Sequence, residues 1–249
     1  MSVLANRIYY INSEERNTGS SSNFSFNLDV PDGASFDSVC VLSMTIPKSY
    51  YLIRDGYNTF KLTNGTGEYV ISITPGNYNV INFVTTVLPL LNAHGTFTMV
   101  FNSITGKYTF TGDCTLEFYS PLARQFGFDE TSVNTFIGQF SSANVVDFSS
   151  TSTLFLHSDM VDDTTSILQE VYADNTVAYS NIVYNCKFPG MYSKKLGKPG
   201  STVFNFSLTD EHQHEVFLNG HDICITILMY KKENLTRLFR QIFTPGGKM

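Results

Sequence analysis

The 249-residue chain has no tryptophan and little charge: 16 Lys/Arg and 22 Asp/Glu make 15% of its residues, against roughly 25% in an average globular domain. So sparse a charged coat suggests a surface largely covered by other chains. The net charge of -6 excludes a nucleic-acid sleeve for the molecule as a whole, because phosphate binding needs clustered Lys and Arg. Cysteine is scarce too. Cys40, Cys114, Cys186 and Cys224 lie far apart without a C-x-x-C pair, each inside an apolar or strand-like stretch, so they read as buried free thiols rather than a disulfide framework or zinc site. No apolar run approaches the ~18 residues of a membrane helix, and "MSVLANRIYYINSEER" has no signal-peptide core. The expectation is synthesis in a reducing cytoplasm or nucleus, which makes the N-x-S/T sequons at Asn23, Asn64, Asn205 and Asn234 chance products.

What the chain has instead is Phe (21) and Tyr (14), within an apolar content of 42%, enough for a sizeable core without staples. The dominant period is two. "NFSFNL", "FDSVCVLSMTI", "EYVISI", "TFTMVF", "KYTFT", "TLFLH", "NIVYNCK", "TVFNFSL" and "DICITILMY" read as strands, mostly separated by Gly, Asn, Asp or Pro clusters. About ten strands result. Thr105-Gly106 and Asn219-Gly220 mark tight hairpins. Helical pattern is confined to three places. In "NYNVINFVTTVLPLLN", Val80, Val84, Val87 and Leu91 make a stripe flanked by Phe83 and Leu90, with Pro89 expected to kink or end it. "SPLARQFGF" offers Ser120 as N-cap, Pro121 at the first helical position and Gly127 past the end; "TTSILQEVYA" reads as a third helix. Short helices among many strands predict a sandwich with decorated loops rather than βαβ units. Neither an internal repeat nor an interdomain linker is visible.

"IPKSYYLI", residues 46–53, places Tyr50 beside Tyr51. Successive strand side chains point to opposite faces, so adjacent tyrosines cannot share one core. Either one of them turns outward to be covered by another surface, or the strand crosses between sheets and both rings enter one core.

Catalytic constellations do not assemble. His157, Ser158 and Asp159 spell a hydrolase triad, but strand neighbours point apart and no G-x-S-x-G elbow accompanies them. "DEHQHEVFLNGHD" is the densest ligand-like cluster: His212 and His214 at i and i+2 can share a face, with Glu215 and His221 nearby, making these histidines the weak candidates for a metal such as zinc. "GKPGST" departs from the phosphate-loop pattern, and its basic neighbours Lys194, Lys195 and Lys198 read as a solvated loop. Arg54, Asp55 and Tyr57 in "IRDGYN" are the best glycan-platform candidate. No nucleophile, base and orienting group can be named together, so an enzyme is not expected, and no cofactor is implied.

The chain resembles a known family. "IYYINSEERNTGSSSNFSFNL", "FDSVCVLSMTIPKSYYLIRDGYNTFKL", "ITPGNYNVINFVTTVLPLLN", "LARQFGF", "LFLHSDMV" and "FSLTDEHQHEVFLNG" follow one another as in penton or minor capsid proteins of the adenovirus-like double-jelly-roll double-stranded DNA virus lineage, which includes virophages, polinton-like viruses and giant-virus relatives. The motifs run from about residue 7 to residue 230. The resemblance implies an all-β jelly-roll β-sandwich over 1–230, and about ten strands where a jelly roll needs eight leave room for a small inserted β subdomain. It further implies a virion protein that forms pentamers at icosahedral vertices and contacts neighbouring major capsid proteins. An interstitial cement protein and a receptor- or glycan-binding sandwich are the alternatives. In a closed ring one flank meets the next subunit's opposite flank, a place suited to Tyr50 or Tyr51.

Residues 231–249 go beyond that pattern. They carry +4, leaving -10 for the rest. Leu235, Leu238, Phe239, Ile242 and Phe243 repeat at helical spacing opposite Arg237, Arg240 and Gln241, with Asn234 as cap and Pro245-Gly246-Gly247 as stop. This predicts a short amphipathic helix that must dock to persist. Its own sandwich, an adjacent capsid protein, an inner membrane and the genome are the candidate partners.

Overall fold

The computed structural model describes residues 6–118, 122–129, 133–149, 151–173 and 179–232. In chain order its elements are β1 (Asn6–Asn12), β2 (Thr18–Gly19), β3 (Asn23–Asn27), β4 (Ser38–Pro47), β5 (Thr59–Asn64), β6 (Gly67–Ser72), α1 (Val80–Asn92), β7 (Thr98–Asn102), β8 (Lys107–Thr111), β9 (Cys114–Phe118), α2 (Ala123–Phe126), β10 (Val133–Phe136), β11 (Gln139–Ser141), β12 (Thr153–Ser158), β13 (Ile167–Tyr172), β14 (Asn181–Asn185), β15 (Lys194–Lys195), β16 (Val203–Thr209) and β17 (Cys224–Tyr230). They form two compact units, residues 1–50 with 151–249, and residues 51–150.

The first unit is a jelly roll. One sheet has the order β1-β17-β4-β14, with β15 also on β4; the other runs β13-β12-β16-β3-β2, and every pairing is antiparallel. Without the two-residue strands β2 and β15, the eight strands number 1-8-3-6 in one sheet and 5-4-7-2 in the other, the double Greek key that defines this architecture. Period-two alternation builds the core: β1 buries Tyr9 and Ile11 and exposes Ile8 and Tyr10, while β3 and β16 turn Phe24, Phe26, Phe204 and Phe206 inward. The Phe24 and Phe206 rings stack at 5.5 Å.

The second unit interrupts the jelly roll between its third and fourth strands. It has sheets β10-β9-β5-β6 and β11-β8-β7 around an aromatic core in which Phe126 packs on Phe60, Phe83 and Phe118 at centroid distances of 5.1, 5.0 and 4.6 Å. Helix α1 starts at a reciprocal cap: Asn79 Oδ1 accepts from the Ile81 and Asn82 amides, and Asn82 Oδ1 accepts from the Asn79 amide. Asn79→Ala should therefore cost about 1 kcal/mol, checked by urea unfolding. The helix buries Phe83, Val87 and Leu91. It continues past Pro89 to Asn92, because Pro89 lies on the exposed side of the last turn, where the Thr85 carbonyl can tilt to water. Helix α2 begins at Ala123 with Leu122 at its N-cap, not Ser120, which with Pro121 lies outside the described residues. It ends as expected at Gly127, whose φ of 78° lets the Gly127 and Phe128 amides return to the Arg124 and Ala123 carbonyls.

The nine quoted strand runs fall on strands. The third expected helix is instead strand β13. A bulge opposite Leu156/His157 places an extra residue in β13, so its inward residues Leu168 and Val171 are three apart and imitate a helical period. The hairpin at Gly106 joins β7 to β8 through four residues, 103–106, with Asn102 Oδ1 accepting from the Ile104 and Thr105 amides. Asn219 and Gly220 both have positive φ, 49° and 85°, as a two-residue turn requires, but the segments they join are not a laddered hairpin.

Candidate functional site

The first unit carries a charge-poor outer surface on the β1-β17-β4-β14 sheet. Register aligns Ile8, Leu228 and Cys40 in one row, Tyr10, Thr226 and Ser43 in a second, and Cys224, Thr45 and Val183 in a third. Lys, Arg, Asp and Glu are absent from these rows. At the β1 edge Ile8 and Tyr10 are 46% and 76% exposed, and at the β14 edge Val183 is 60% exposed. Three strand spacings separate the two edges, about 14 Å. Beside β14, the chain leaves β4 at Cys186 and rejoins it at Lys194. Ser193 hydrogen-bonds Tyr230, and Tyr230 and Cys40 are fully covered although both point away from the core residues Met229, Val39 and Val41. This loop exposes Phe188, Met191 and Tyr192. The sheet thus has two apolar patches, one at each edge.

The tyrosine pair behaves differently from the expectation at residues 46–53. Strand β4 ends at Pro47, and the following connection is pinned by Lys48 N–H to the Ser180 carbonyl, Ser49 Oγ–H to the Leu218 carbonyl and Asn219 Nδ2–H to the Ser49 carbonyl. Tyr50 turns into the first unit's core, its hydroxyl without a hydrogen-bond partner among the described residues, and burial, with Glu211's charge second, pushes its pKa well up. That removes Tyr50 as an outward contact; Tyr51 is half-buried. The argument from adjacent tyrosines holds at Tyr9 and Tyr10 instead, where a true strand sends one ring inward and the other to solvent. "IYY" was the available signal for this surface; Val183, Phe188, Met191 and Tyr192 had none, because only pairing puts them at the opposite edge.

The chemical candidates are scattered among structural partners. His157 Nδ1 lies 3.1 Å from the Thr165 carbonyl and its Nε2 3.0 Å from Thr209 Oγ1. Ser158 Oγ accepts from the Met160 amide. Asp159 accepts from Lys198 Nζ and from the Asn205 amide and side chain. Burial pushes the Asp159 carboxyl up, but Lys198 and Asn205 outweigh it and hold the pKa below the usual value. Because the folded pKa is depressed, this stabilisation is complete above the unfolded pKa and is lost as pH falls through the folded one. Asp159→Asn should lower the unfolding midpoint at neutral pH, with a deficit that shrinks below about pH 4; an equal deficit at pH 3 and pH 7 would oppose this.

His212 and His214 both donate backbone N–H groups to Asp210 Oδ1, and their rings lie 6.1 Å apart. His221 is exposed in the Asn219-Gly220 turn, and Glu215 accepts from Ser20, Ser22 and Asn23. Among the described residues no three His, Cys, Asp or Glu side chains stand in metal-holding geometry. Arg54 covers one face of the Tyr57 ring at 4.6 Å. In the basic loop, Lys195 and Lys198 pair with Asp162 and Asp159. Tail residues Leu235, Leu238, Phe239, Ile242 and Phe243 lie outside the described residues. No helix among the described residues is long and apolar enough to cross a membrane.

Fold and surface together define an all-β jelly roll with an inserted β unit and a charge-poor outer sheet with an apolar patch at each edge. Among known proteins, no family model matches the chain and no curated protein matches it. Among solved structures it is similar to the mavirus penton protein, at 14% identity and a TM-score of 0.44 over 91% of this chain and 98% of that one. It is also similar to a chain of the Sputnik virophage structure, at 11% identity and a TM-score of 0.44 over 93% of this chain and 99% of that one.

Proposed function

We propose that the protein is a structural virion protein, a penton that forms pentamers at the vertices of an icosahedral capsid and acts through shape and interface. One observation carries the reading: the outer sheet of the jelly roll has an apolar patch at each of its two edges, Ile8 and Tyr10 on β1, and Val183 with Phe188, Met191 and Tyr192 beside β14. A closed ring uses each subunit twice, one edge against the opposite edge of the next. Aromatic residues with few charges are the composition that interface centres favour. The order of motifs along the sequence supports the same reading, and neighbouring major capsid proteins are then the outer partners of the ring. The basic segment 231–249 is proposed as a contact to an adjacent capsid protein, with an inner membrane or the genome as other partners. Absolute mass by light scattering tests the ring: a mass near five chains supports it, while a monomer at all concentrations and in the presence of major capsid protein would remove it.

A further inference from the structure

Cys40 and Cys186 are 146 positions apart in sequence, yet their sulfurs lie 3.9 Å apart. The cause is a bulge in β4. Thr226 pairs with Ser43 and Ile227 with Val41, which leaves Leu42 without a β17 partner. The Leu42 carbonyl instead accepts the Cys186 amide at 2.8 Å, and this fixes Cys186 at the point where loop 186–193 leaves the sheet. Cys40, turned away from Val39 and Val41, is fully covered; Cys186 is half-exposed. A disulfide bond is about 2.0 Å long, so the sulfurs need to close by about 1.9 Å.

We propose that Cys40 and Cys186 are a disulfide-forming pair, oxidised by a low-molecular-mass disulfide such as oxidised glutathione, and that the bond ties loop 186–193 to β4. The Cys186 thiolate, the more accessible of the two, attacks the small disulfide; one glutathione thiolate leaves and takes up a proton. The Cys40 thiolate then attacks the Cys186 sulfur of the mixed disulfide and expels the second glutathione. Two protein thiols are oxidised and one small disulfide is reduced to two thiols. Burial, then the neighbouring Cys186 thiol, pushes the Cys40 thiol up to about 12. The second step is therefore slow near neutrality and accelerates as pH rises, because only the thiolate attacks. The other cysteines do not share this geometry: Cys114 is buried in the other unit's core, and Cys224 is exposed. The bond would hold in place the loop that carries Phe188, Met191 and Tyr192, and its formation does not depend on the assembly reading.

The test uses full-length C224S protein, which removes the exposed thiol, incubated with oxidised glutathione at pH 7 and pH 9. After acid quenching, the chain is unfolded, alkylated and digested for mass spectrometry. The expected product is a Cys40–Cys186 linked peptide pair with Cys114 alone alkylated, formed at least tenfold faster at pH 9 than at pH 7, with the Cys186–glutathione adduct accumulating at pH 7. Adding C40S should leave that adduct as the end product. Full alkylation of Cys40 at both pH values, or linkage of Cys186 to Cys114, would overturn the assignment.

Discussion

In the proposed pentameric ring, Tyr10→Glu should reduce the solution mass from about five chains to one. Tyr10 is 76% exposed on β1, opposite the buried Tyr9, so the substitution leaves the subunit's own core untouched. In a ring every subunit presents this edge to a neighbour, and a carboxylate there would be desolvated against an apolar patch. Burying an unpaired charge costs several kcal/mol per contact, enough to dissolve an assembly that repeats the contact at each junction. Val183→Glu combined with Tyr192→Glu should do the same from the β14 edge.

Mixing the two monomeric variants separates this arrangement from a two-fold one. The Tyr10 variant keeps a good β14 edge and the other variant keeps a good β1 edge, so one compatible junction survives and the mixture should yield heterodimers and nothing larger. An interface that paired β1 with β1 would give homodimers of the β14-edge variant alone. Five-chain rings persisting in either single variant would refute the surface assignment.

Phe126→Ala should destabilise the inserted unit by about 3–5 kcal/mol. Phe126 is fully buried, and its ring contacts Phe60, Phe83 and Phe118 from three elements, with Phe110 at 6.4 Å. Its loss removes both the apolar area and the edge and stacked ring contacts that order this core. The measurement is hydrogen exchange at the amides of β5, β8 and β9, expected to speed by two orders of magnitude or more, since about 1.4 kcal/mol is tenfold in an opening equilibrium. Unchanged exchange in these strands would show that neighbouring rings collapse into the space.

Uninterrupted alternation makes β3, β16 and β17 legible in the sequence: each turns every second residue to the core. Strands β1, β5 and β9 alternate regularly yet lie outside the nine runs; others outside them are short or irregular. Strands β10 and β11 have four and three residues, too few to establish a period. Strand β13 carries a bulge residue that converts a spacing of two into three, and β4 stops at Pro47 before the tyrosines that were read as its continuation. Of the proposed assembly surface, "IYY" in β1 is legible by the same alternation that applies to Tyr50 and Tyr51. Its counterpart at the β14 edge was not, because Val183 and Met191 look like ordinary strand and loop residues until pairing places them.

The sequence by itself determined an all-β chain, the helix end at Gly127 and a composition poor in charge. Composition, period and capping chemistry are local properties that a linear string carries. Tertiary structure decided the division into a jelly roll and an insertion, the inward turn of Tyr50, the meeting of Cys40 with Cys186 and the two apolar edges of one sheet. Each of these depends on contacts between segments far apart in the chain, and the meeting of the two cysteines also on a bulge at Leu42, which no window of neighbouring residues contains.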